Sequence, residues 1–586
     1  MPYSNLQEFI DALDRAGELH RVTAEVSPML EVTQIADRVS KSSAARESEH
    51  ASAFDPHHHG LGGKALLFEH VEGSKMPLLI NAFGSYRRME MALGCEDGGF
   101  EALAGKVEAL VKPQPPTGIV EKMKKGLELA KIASFAPKVV KGGACQEVVR
   151  VGDEVDLFEL PIIKCWPRDG DPRKCGYDVS PDQAGTAGGQ GRFITFAGMY
   201  TIHPDDAGKP DGVPRPSRNV GMYRAQLIDK NRTAMHWHMH HDGARHWRAW
   251  KEKAKQEIEK TGRLQQREAL KQEINAEENR GTTSGGGMPC AIVLGGEAVL
   301  AYAATSPLPP GISELLFAGF LNGSAIPLVK CKTIDMQVPA NAEIVIEGYV
   351  STQAGGPGYD PDVAGDGSDL DHGHEVFEGP FGDHTGFYSL PDRYPVFTVT
   401  AITHRKNPVY PTTIVGQPPQ EDYYLGKATE RLFLPLLKTL IPDIIDYDLP
   451  MFGAFHNCVF IKIRKEYPLQ ARRVMHAVWG AGQMAWTKII FVVDHDVDVH
   501  DHEQVLFHLC ANCDPGRDVE IVNGPLDILD HAAPRLGAGS KIGFDATRKI
   551  KGEEVNGQPV RDWPELLKMD PAIKDLVDRR WGEYGL

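Results

Sequence analysis

The sequence predicts a mixed α+β fold, and three features support this class. The 60 glycines and 41 prolines require many tight turns, which favours α/β or β-rich domains over a helical bundle. Helical and strand-like hydrophobic patterns alternate along the chain. At roughly 150 residues per domain, the 586 residues allow about two to four domains. We therefore expect several mixed domains, each with its own hydrophobic core.

The first region, residues 1–115, has the pattern of an α/β domain. Asn5 is a candidate N-cap with a glutamate three residues later, and the apolar residues that follow have helical spacing. Apolar runs at Ala65–Phe68 and Pro77–Ile80 predict short strands. After the break at Pro113–Pro116, a lysine-rich helical stretch predicts a connector to the next domain.

The central region, residues 116–405, is predicted to be rich in strands. Its apolar runs contain many aromatic and β-branched residues, which are typical of strands. Residues 249–280 are dense in Lys, Glu and Gln and predict a solvated helical insertion, whereas residues 352–375 are rich in Gly, Asp and Pro and predict a surface loop. The predicted strands are Phe193–Phe196, Met199–Ile202, Ala291–Leu294, Glu343–Glu347 and Val396–Thr400.

In the last region, residues 406–586, the α/β pattern returns. We expect strands at Val459–Ile463 and Ile489–Val493, with a helix at about 468–480 between them.

The final helix is marked at both ends by capping residues. Asp570 is its predicted N-cap, Pro571 its first residue, and Gly582 lies just past its end. Its narrow apolar stripe could dock on its own domain or on a partner subunit. The stripe consists of Ile573, Leu576, Val577 and Trp581.

The charge of the chain excludes some classes of partner. Acidic residues outnumber basic ones, 80 to 64, and the net charge is −16. Such a field repels polyanions, so we expect no nucleic-acid partner. No run reaches the ~18 consecutive apolar residues that a membrane span needs. The N-terminus lacks a signal-peptide profile, and we expect a cytoplasmic protein.

Two histidine-rich stretches are candidate metal sites. On a strand, the alternation of His236, His238 and His240 would put three imidazoles on one face, which could bind zinc or manganese. Alternatively, together with His241 they form a polar cleft wall in which one histidine is a ligand. The run Asp494–Glu503 is also rich in carboxylates and imidazoles, but it directly follows a buried strand. For this run we favour a solvated loop over a metal site.

The sharpest local signal is the hexapeptide Glu378-Gly-Pro-Phe-Gly-Asp383. Because Gly and Pro force a bend, the two carboxylates can turn toward one cavity. Paired acids suit acid–base catalysis, since a neighbouring charge raises one pKa while a cationic partner keeps the other acid ionised. Taken alone, the hexapeptide could also be a turn with two solvated acids, and the local pattern favours that second interpretation.

Several spaced motifs, together and in this order, are much more specific than any one of them: Leu160–Pro167, Arg218–Arg224 with Gln226–Lys230, Ser313–Gly319, Glu378–Gly386 and Gly539–Ala546. With these motifs the chain resembles the UbiD family of prenylated-flavin decarboxylases over most of its length. The resemblance favours the paired-acid interpretation of Glu378 and Asp383.

The resemblance implies a three-part fold and a catalytic constellation. The parts are an N-terminal α/β domain (1–115), a central split β-barrel domain that binds flavin (116–405), and a C-terminal α/β oligomerisation domain with a terminal helix (406–586). Position by position, the implied constellation is Arg224, Glu378 and Asp383. The second acid is Asp, one methylene shorter than the Glu of other members, which shifts the proton-delivery geometry.

The implied cofactor is prenylated FMN, held through a divalent ion, usually Mn²⁺, with K⁺ nearby. An amide, an imidazole and a carboxylate form a mixed N/O set that suits Mn²⁺. The implied metal ligands are Asn219, His240 and Glu314, with His241 as the rival of His240. The implied cofactor-binding residues are Asn219, Gly221, Met222, Tyr223, Arg224, His240, Thr305, Ser306, Pro307 and, more loosely, Lys488.

The resemblance implies non-oxidative decarboxylation of a hydroxy-aromatic acid through a covalent adduct with the prenylated flavin. We expect Asp383, with its pKa raised by partial desolvation, to protonate the ring. A prenylated quinone precursor is the favoured substrate, from the menaquinone pathway ahead of the ubiquinone pathway. The alternatives are small soluble phenolic acids and, from another class, a metal-dependent hydrolase.

The resemblance also implies partners. A flavin prenyltransferase would supply the cofactor. We expect a homo-oligomer, a dimer or a hexamer, in which the last helix could cross between subunits. A polyprenyl tail would further require peripheral contact at the inner face of the membrane.

Overall fold

The computed structural model describes residues 3–585 apart from several gaps. Four predictions fall on these gaps: the connector after Pro113–Pro116, the greater part of the 249–280 insertion, most of the 352–375 loop, and His240. The gaps are 112–131, 177–178, 180, 182–185, 211–212, 214, 240, 261–286, 309–311, 355–372, 456 and 556.

The N-terminal region has the predicted α/β character. Its elements are α1 (Leu6–Ala16), β1 (Leu19–Val26), α2 (Glu31–Ser40), β2 (Ala65–Val71), β3 (Leu78–Ile80), α3 (Tyr86–Leu93) and α4 (Gly99–Val111). Helix α1 begins as predicted, because the Asn5 side chain accepts a hydrogen bond of 3.0 Å from the Glu8 backbone N–H. Its Phe9 and Leu13 are fully buried. Both predicted strands are confirmed as β2 and β3.

The central region contains a long series of strands. They are β4 (Lys138–Val139), β5 (Val148–Val151), β6 (Phe193–Thr201), β7 (Asn219–Leu227), β8 (Arg232–His236), β9 (Gly287–Leu294), β10 (Pro327–Lys330), β11 (Gln337–Pro339), β12 (Ile344–Ser351), β13 (Glu375–Glu378), β14 (Phe381–Gly382), β15 (Tyr388–Ser389), β16 (Asp392–His404) and β17 (Tyr410–Pro411). The helices among them are α5 (Asp242–Lys260), α6 (Val299–Ala303) and α7 (Glu314–Asn322).

Six of these strands close into a barrel, as the resemblance implied. The hydrogen-bonded order is β12-β9-β6-β7-β8-β16, and β16 pairs back onto β12. The apolar residues of β6 and β9 alternate into the interior, with Met199 opposite Ile292, and both are fully buried. Strand β13 pairs with β16 but is not one of the six barrel strands. It is followed in the chain by the hairpin of β14 and β15.

The C-terminal region is a second α/β layer. Its elements are α8 (Glu421–Leu440), β18 (Ile444–Asp448), β19 (Cys458–Ile463), α9 (Gln470–Trp479), β20 (Ile489–Asp494), α10 (His502–Asn512), β21 (Val519–Pro525), β22 (Ala538–Asp545), β23 (Glu554–Val555), β24 (Gln558–Pro559) and α11 (Pro571–Arg580). The main sheet has the order β18-β19-β20-β22-β21. Helix α8 packs against α4, and β17 adds to the N-terminal sheet beside β3, so the three regions are closely joined.

Two predictions about the histidine-rich stretches are wrong. Strand β8 ends at His236, so the three alternating imidazoles do not share a strand face; the chain turns there and enters α5. The run after β20 is not simply a solvated loop either. His500 is only 5% exposed, and its Nδ1 lies 3.2 Å from Oδ1 of Asp448. An acid that is distant in the sequence, Asp448, therefore holds His500 in a buried position.

The terminal helix α11 is present with Asp570 as its N-cap, as predicted. None of the residues from Pro571 to Arg580 is buried. No helix within the described part of the chain is long and apolar enough to cross a membrane.

Candidate active site

A cavity of about 350 Å³ lies between the barrel, the β14–β15 hairpin and the C-terminal region. Its apolar wall includes Phe196, Met222, Trp237, Val415, Leu425 and Trp486. Its polar wall includes Arg224, His236, Asp383, His384, Asp422 and Asp527. An apolar cleft with a few convergent charged groups is the usual form of a small-molecule site.

Arg224, Glu378 and Asp383 meet at this cavity, as the resemblance implied. Arg224 donates from Nε to Oε1 of Glu378 at 2.8 Å and from Nη2 to Oε2 at 3.2 Å, a bidentate pair. Its Nη1 donates to Oδ2 of Asp383 at 2.6 Å. All three residues are buried. One guanidinium is thus held between two carboxylates at the cavity wall.

The local sequence explains how the three residues meet. Arg224 lies within β7, and Glu378 is the last residue of β13. The backbone N–H of Gly379 donates to Gln226 Oε1 at 2.7 Å, which ties the bend to β7. Gly382 must lack a side chain, since a Cβ there would collide with the Trp166 ring. Gly379, with φ +91°, therefore permits the bend, and Gly382 permits the close packing that turns both acids toward the cavity.

The electrostatics keep Glu378 ionised. Burial alone would raise its pKa, but Arg224 and His236 outweigh burial and lower the pKa to about 2. His236 contributes through its Nδ1, 3.0 Å from Oε2 of Glu378. In turn the two acids raise the pKa of Arg224 against its own burial. This pair can therefore orient an anionic substrate but does not store a proton.

The prediction of a raised pKa for Asp383 is wrong for this arrangement. Burial acts in that direction, but hydrogen bonding from His384 and the charge of Arg224 lower the pKa of Asp383 below its ordinary value. The neighbours that cause this come from β7 and from the next residue in the chain. Desolvation was expected to raise this pKa, but pairing with the two neighbours lowers it by more.

Sequence reasoning missed several residues that share the site. His384, Asp422 and Asp527 line the cavity although they come from three separate segments. His236 was flagged as a candidate metal ligand and instead binds Glu378. A signal existed for His384, which directly follows the second acid, but none marked Asp422 or Asp527.

Asn219 and Glu314, two implied metal ligands, lie close to each other. Asn219 begins β7 and Glu314 begins α7, and the Val220 backbone N–H donates to Oε2 of Glu314 at 3.2 Å. Burial raises the pKa of Glu314 to about 7. The buried Nδ2 of Asn219 has no hydrogen-bond partner among the described residues. A half-buried carboxylate whose ionised form burial disfavours fits a divalent ion, for which the amide oxygen of Asn219 would be a second oxygen ligand.

The implied third ligand, His240, lies outside the described residues. His241, its rival, lines the cavity; its ring stacks 4.9 Å from that of His238 and lies tilted, 5.1 Å away, against that of Tyr223. The choice between these two histidines stays a prediction.

The predicted flavin loop also lies at the cavity. Met222, Tyr223 and Thr305 line it, and the Met222 backbone N–H donates to the carbonyl of Ala304 at 3.3 Å, which joins β7 to the segment Thr305–Pro307. Gly221 lets the Tyr223 ring pack directly over the strand. Lys488 is elsewhere: its ammonium pairs with Asp530 at 2.8 Å, and it is not among the cavity-lining residues. Its role as a phosphate ligand stays a prediction.

A second cluster with metal-like geometry lies away from the cavity. Ligand atoms of Glu430, Asp448 and His500 lie within 4.8 Å of one another, and all three residues are buried. Lys427 already occupies the cluster, with Nζ 2.9 Å from Glu430 and 2.5 Å from Asp448. An ammonium there supplies the positive charge that the acids need.

Comparison with known families covers most of the chain. Models of 3-octaprenyl-4-hydroxybenzoate carboxy-lyase match in sequence order: the N-terminal domain over residues 10–104, the Rift-related domain over 138–418 and the C-terminal domain over 423–546. An uncharacterized protein of Aquifex aeolicus is 41% identical over 584 residues, covering 100% of this chain and 99% of the relative.

Solved structures share the fold. Vanillic acid decarboxylase of Sedimentibacter hydroxybenzoicus, in closed form, matches with a TM-score of 0.72 at 22% identity, covering 100% of this chain and 99% of that chain. The UbiD-class enzyme HmfF of Pelotomaculum thermopropionicum in complex with prFMN matches with a TM-score of 0.62 at 23% identity, covering 94% of this chain and 97% of that chain.

Proposed function

The chain belongs to the UbiD family of carboxy-lyases, and from this premise we propose that it decarboxylates a hydroxy-aromatic acid with prenylated FMN as its cofactor. The observation that carries the proposal is the Arg224–Glu378–Asp383 constellation, of which Arg224 and Asp383 line the 350 Å³ cavity. The earlier alternative of a metal-dependent hydrolase is wrong, because the family consists of decarboxylases.

Each residue of the constellation has a different role. Arg224 pairs with the substrate carboxylate and orients it, and Glu378 holds the guanidinium in place through both of its oxygens. Asp383 delivers a proton to the ring carbon that has lost CO₂. The apolar wall around Phe196, Trp237 and Trp486 excludes water from the reacting carbon.

Prenylated FMN supplies an electron sink for the negative charge left on the ring when CO₂ departs, which no side chain can store. Met222, Tyr223 and the segment Thr305–Pro307 would lie against the flavin. Asn219 and Glu314, with His240 or His241, would bind Mn²⁺, which would supply positive charge beside the cofactor. The implied K⁺ stays a prediction.

For the substrate, we propose a prenylated quinone precursor as the first candidate, and the cavity supports a second one. A volume of about 350 Å³ has little room for a long tail beside a flavin and a ring. Small phenolic acids therefore remain a candidate class that this geometry favours.

We also propose that the chain forms a homo-oligomer through its C-terminal segment. Large apolar side chains on this segment are exposed, including Leu567 at 97%, Met569 at 69% and Trp581 at 53%. A second copy of the chain would bury this row, because such rows mark association surfaces.

The test is to produce the protein together with a flavin prenyltransferase. The purified protein should be coloured, should contain manganese, and should release CO₂ from at least one of 4-hydroxybenzoate, 3,4-dihydroxybenzoate, vanillate and geranylated 4-hydroxybenzoate. Protein made without the prenyltransferase is the control and should be inactive. A colourless protein that releases no CO₂ under any of these conditions would contradict the proposal.

A further inference from the structure

We propose that His384 is a positioning residue that holds Asp383 in place and returns a proton to it after each turnover. This inference deepens the proposed function and rests on it. The resting site cannot supply a proton from Asp383 alone, because Arg224 and His384 both bind its carboxylate. The proton must therefore come from a neighbouring group.

The geometry links His384 to Asp383 twice. The Nδ1 atom of His384 lies 3.2 Å from Oδ1 of Asp383, and the backbone N–H of His384 donates to the same oxygen at 2.8 Å. Oδ2 of Asp383 accepts from Arg224 at 2.6 Å, so each carboxylate oxygen has its own cationic partner. The imidazole is thus the ionisable group that contacts Oδ1 of Asp383, the oxygen that does not bind Arg224.

Acids from other segments surround the imidazole. Asp527, from the segment after β21, has an oxygen 4.0 Å from Nε2 of His384. Asp422, from α8, lines the same cavity. On the other side, a small cavity is lined by His384, Asp422 and Lys427, and the Phe455 ring packs 5.4 Å from the imidazole. Among the described residues, the imidazole is thus surrounded by three aspartates, Asp383, Asp422 and Asp527, whereas Lys427 lines the small cavity beside it.

These charges keep the imidazole protonated. Burial would lower the pKa of His384, but Asp383, Asp527 and Asp422 raise it to about 9. Burial also raises the pKa of Asp422 to about 7, although His384 opposes this. At neutral pH one proton is thus held beside Asp383.

The proton transfer balances with one proton per CO₂. Neutral Asp383 gives its proton to the ring carbon and becomes a carboxylate. The Nδ1–H of the imidazolium then passes its proton to Oδ1 of Asp383, and neutral His384 regains one from bulk water. A substrate carboxylate that competes for Arg224 raises the pKa of Asp383 and so permits this transfer.

The first experiment needs no cofactor or substrate. An NMR titration of isotope-labelled histidine rings in the full-length protein, with the signal assigned by its loss in His384→Gln, should show His384 titrating near pH 9. In Asp383→Asn it should titrate below its ordinary value of about 6.5. An ordinary pKa for His384 in the unaltered protein would overturn the proposal.

The second experiment uses the holoenzyme and the phenolic acids named above. Gln at position 384 can donate a hydrogen bond to Asp383 but carries no ionisable proton. In the unaltered enzyme, activity should fall above pH 9, where the imidazolium of His384 loses its proton. His384→Gln should lower kcat by about tenfold or more with KM little changed, and its activity should no longer fall above pH 9. The matched control is His531→Gln. The His531 ring packs at a tilt against Phe387, 4.1 Å away, and this variant should keep the kcat and the alkaline loss of activity of the unaltered enzyme.

The two failures can be distinguished. A His384→Gln enzyme with normal kcat and an unchanged alkaline limb would overturn the role of His384 while leaving the proposed function intact. An unaltered enzyme that releases no CO₂ would overturn the proposed function, and the titration would still decide whether His384 and Asp383 form a charged pair.

Discussion

Two of the buried clusters in which a cation lies between acids differ in their access to the cavity. The site cluster comprises Arg224, Glu378 and Asp383, and the closed cluster comprises Lys427, Glu430 and Asp448. Both cations are nearly fully buried and bind two carboxylates. Of the two, only the site cluster contributes residues, Arg224 and Asp383, to the wall of the 350 Å³ cavity.

This difference shows that a buried cation between two acids is not by itself a mark of an active site. In the closed cluster, burial alone would raise the pKa of Asp448, but Lys427, His500 and His502 lower it well below its ordinary value. Its two carboxylates pair with Lys427 and also with Arg431 and His500, and the pairs join α8 to the C-terminal sheet. In the site cluster, the same kind of pairing is open to a ligand that can compete for the guanidinium.

The largest expected effect is on catalysis in the site cluster. Asp383→Asn should lower kcat for decarboxylation by about 10²–10⁴-fold and should also stop hydrogen–deuterium exchange at the product ring carbon, because the amide cannot deliver a proton. Asp448→Asn is the same change in the closed cluster, and the folded enzyme should keep its kcat. Equal losses of kcat in both variants would break the comparison.

The second effect is on stability in the closed cluster. Lys427→Met should lower the free energy of unfolding by about 3–5 kcal/mol, because Glu430 and Asp448 would stay buried without their ammonium partner. Denaturant unfolding followed by circular dichroism would measure this. The matched surface change is Lys438→Met at the end of α8, where little loss is expected; a similar loss in both variants would mean that the closed cluster has no special structural role.

The smallest effect is the pH dependence of stability from Glu378. Its pKa is about 2 in the folded chain and lower than in the unfolded chain, so its contribution is present above the unfolded pKa and is lost as the pH falls toward 2. Acid unfolding of Glu378→Gln should therefore depend less on pH between about 5 and 2 than that of the unaltered protein. Parallel curves for the two proteins would mean that Arg224 does not stabilise the ionised acid.

Much of the fold and part of the site follow from sequence, for physical reasons. Hydrophobic periodicity located β2, β9 and β20, and the capping residues at Asn5 and Asp570 located helix starts, because these signals are local. Arg224, Glu378 and Asp383 followed from ordered motifs, and the structure brings them together.

The remaining features depend on residues that are distant in the chain. Asp422 and Asp527 reach the cavity from separate elements, so no spacing could reveal them. The pKa of Asp383 was predicted with the wrong sign because its strongest influences besides burial are His384 and Arg224, whose positions only the folded chain fixes. His500 was assigned to solvent because its partners, Asp446 and Asp448, lie about fifty residues earlier.

The contact between Gly382 and Trp166 limits how this enzyme can be engineered. The Trp166 ring leaves no room for a Cβ at position 382. Any substitution there should therefore displace the segment that carries both acids and yield an inactive enzyme. Gln483 and Leu529, from the C-terminal region, line the same cavity and are not part of the constellation. Substrate scope should therefore be altered from the C-terminal side.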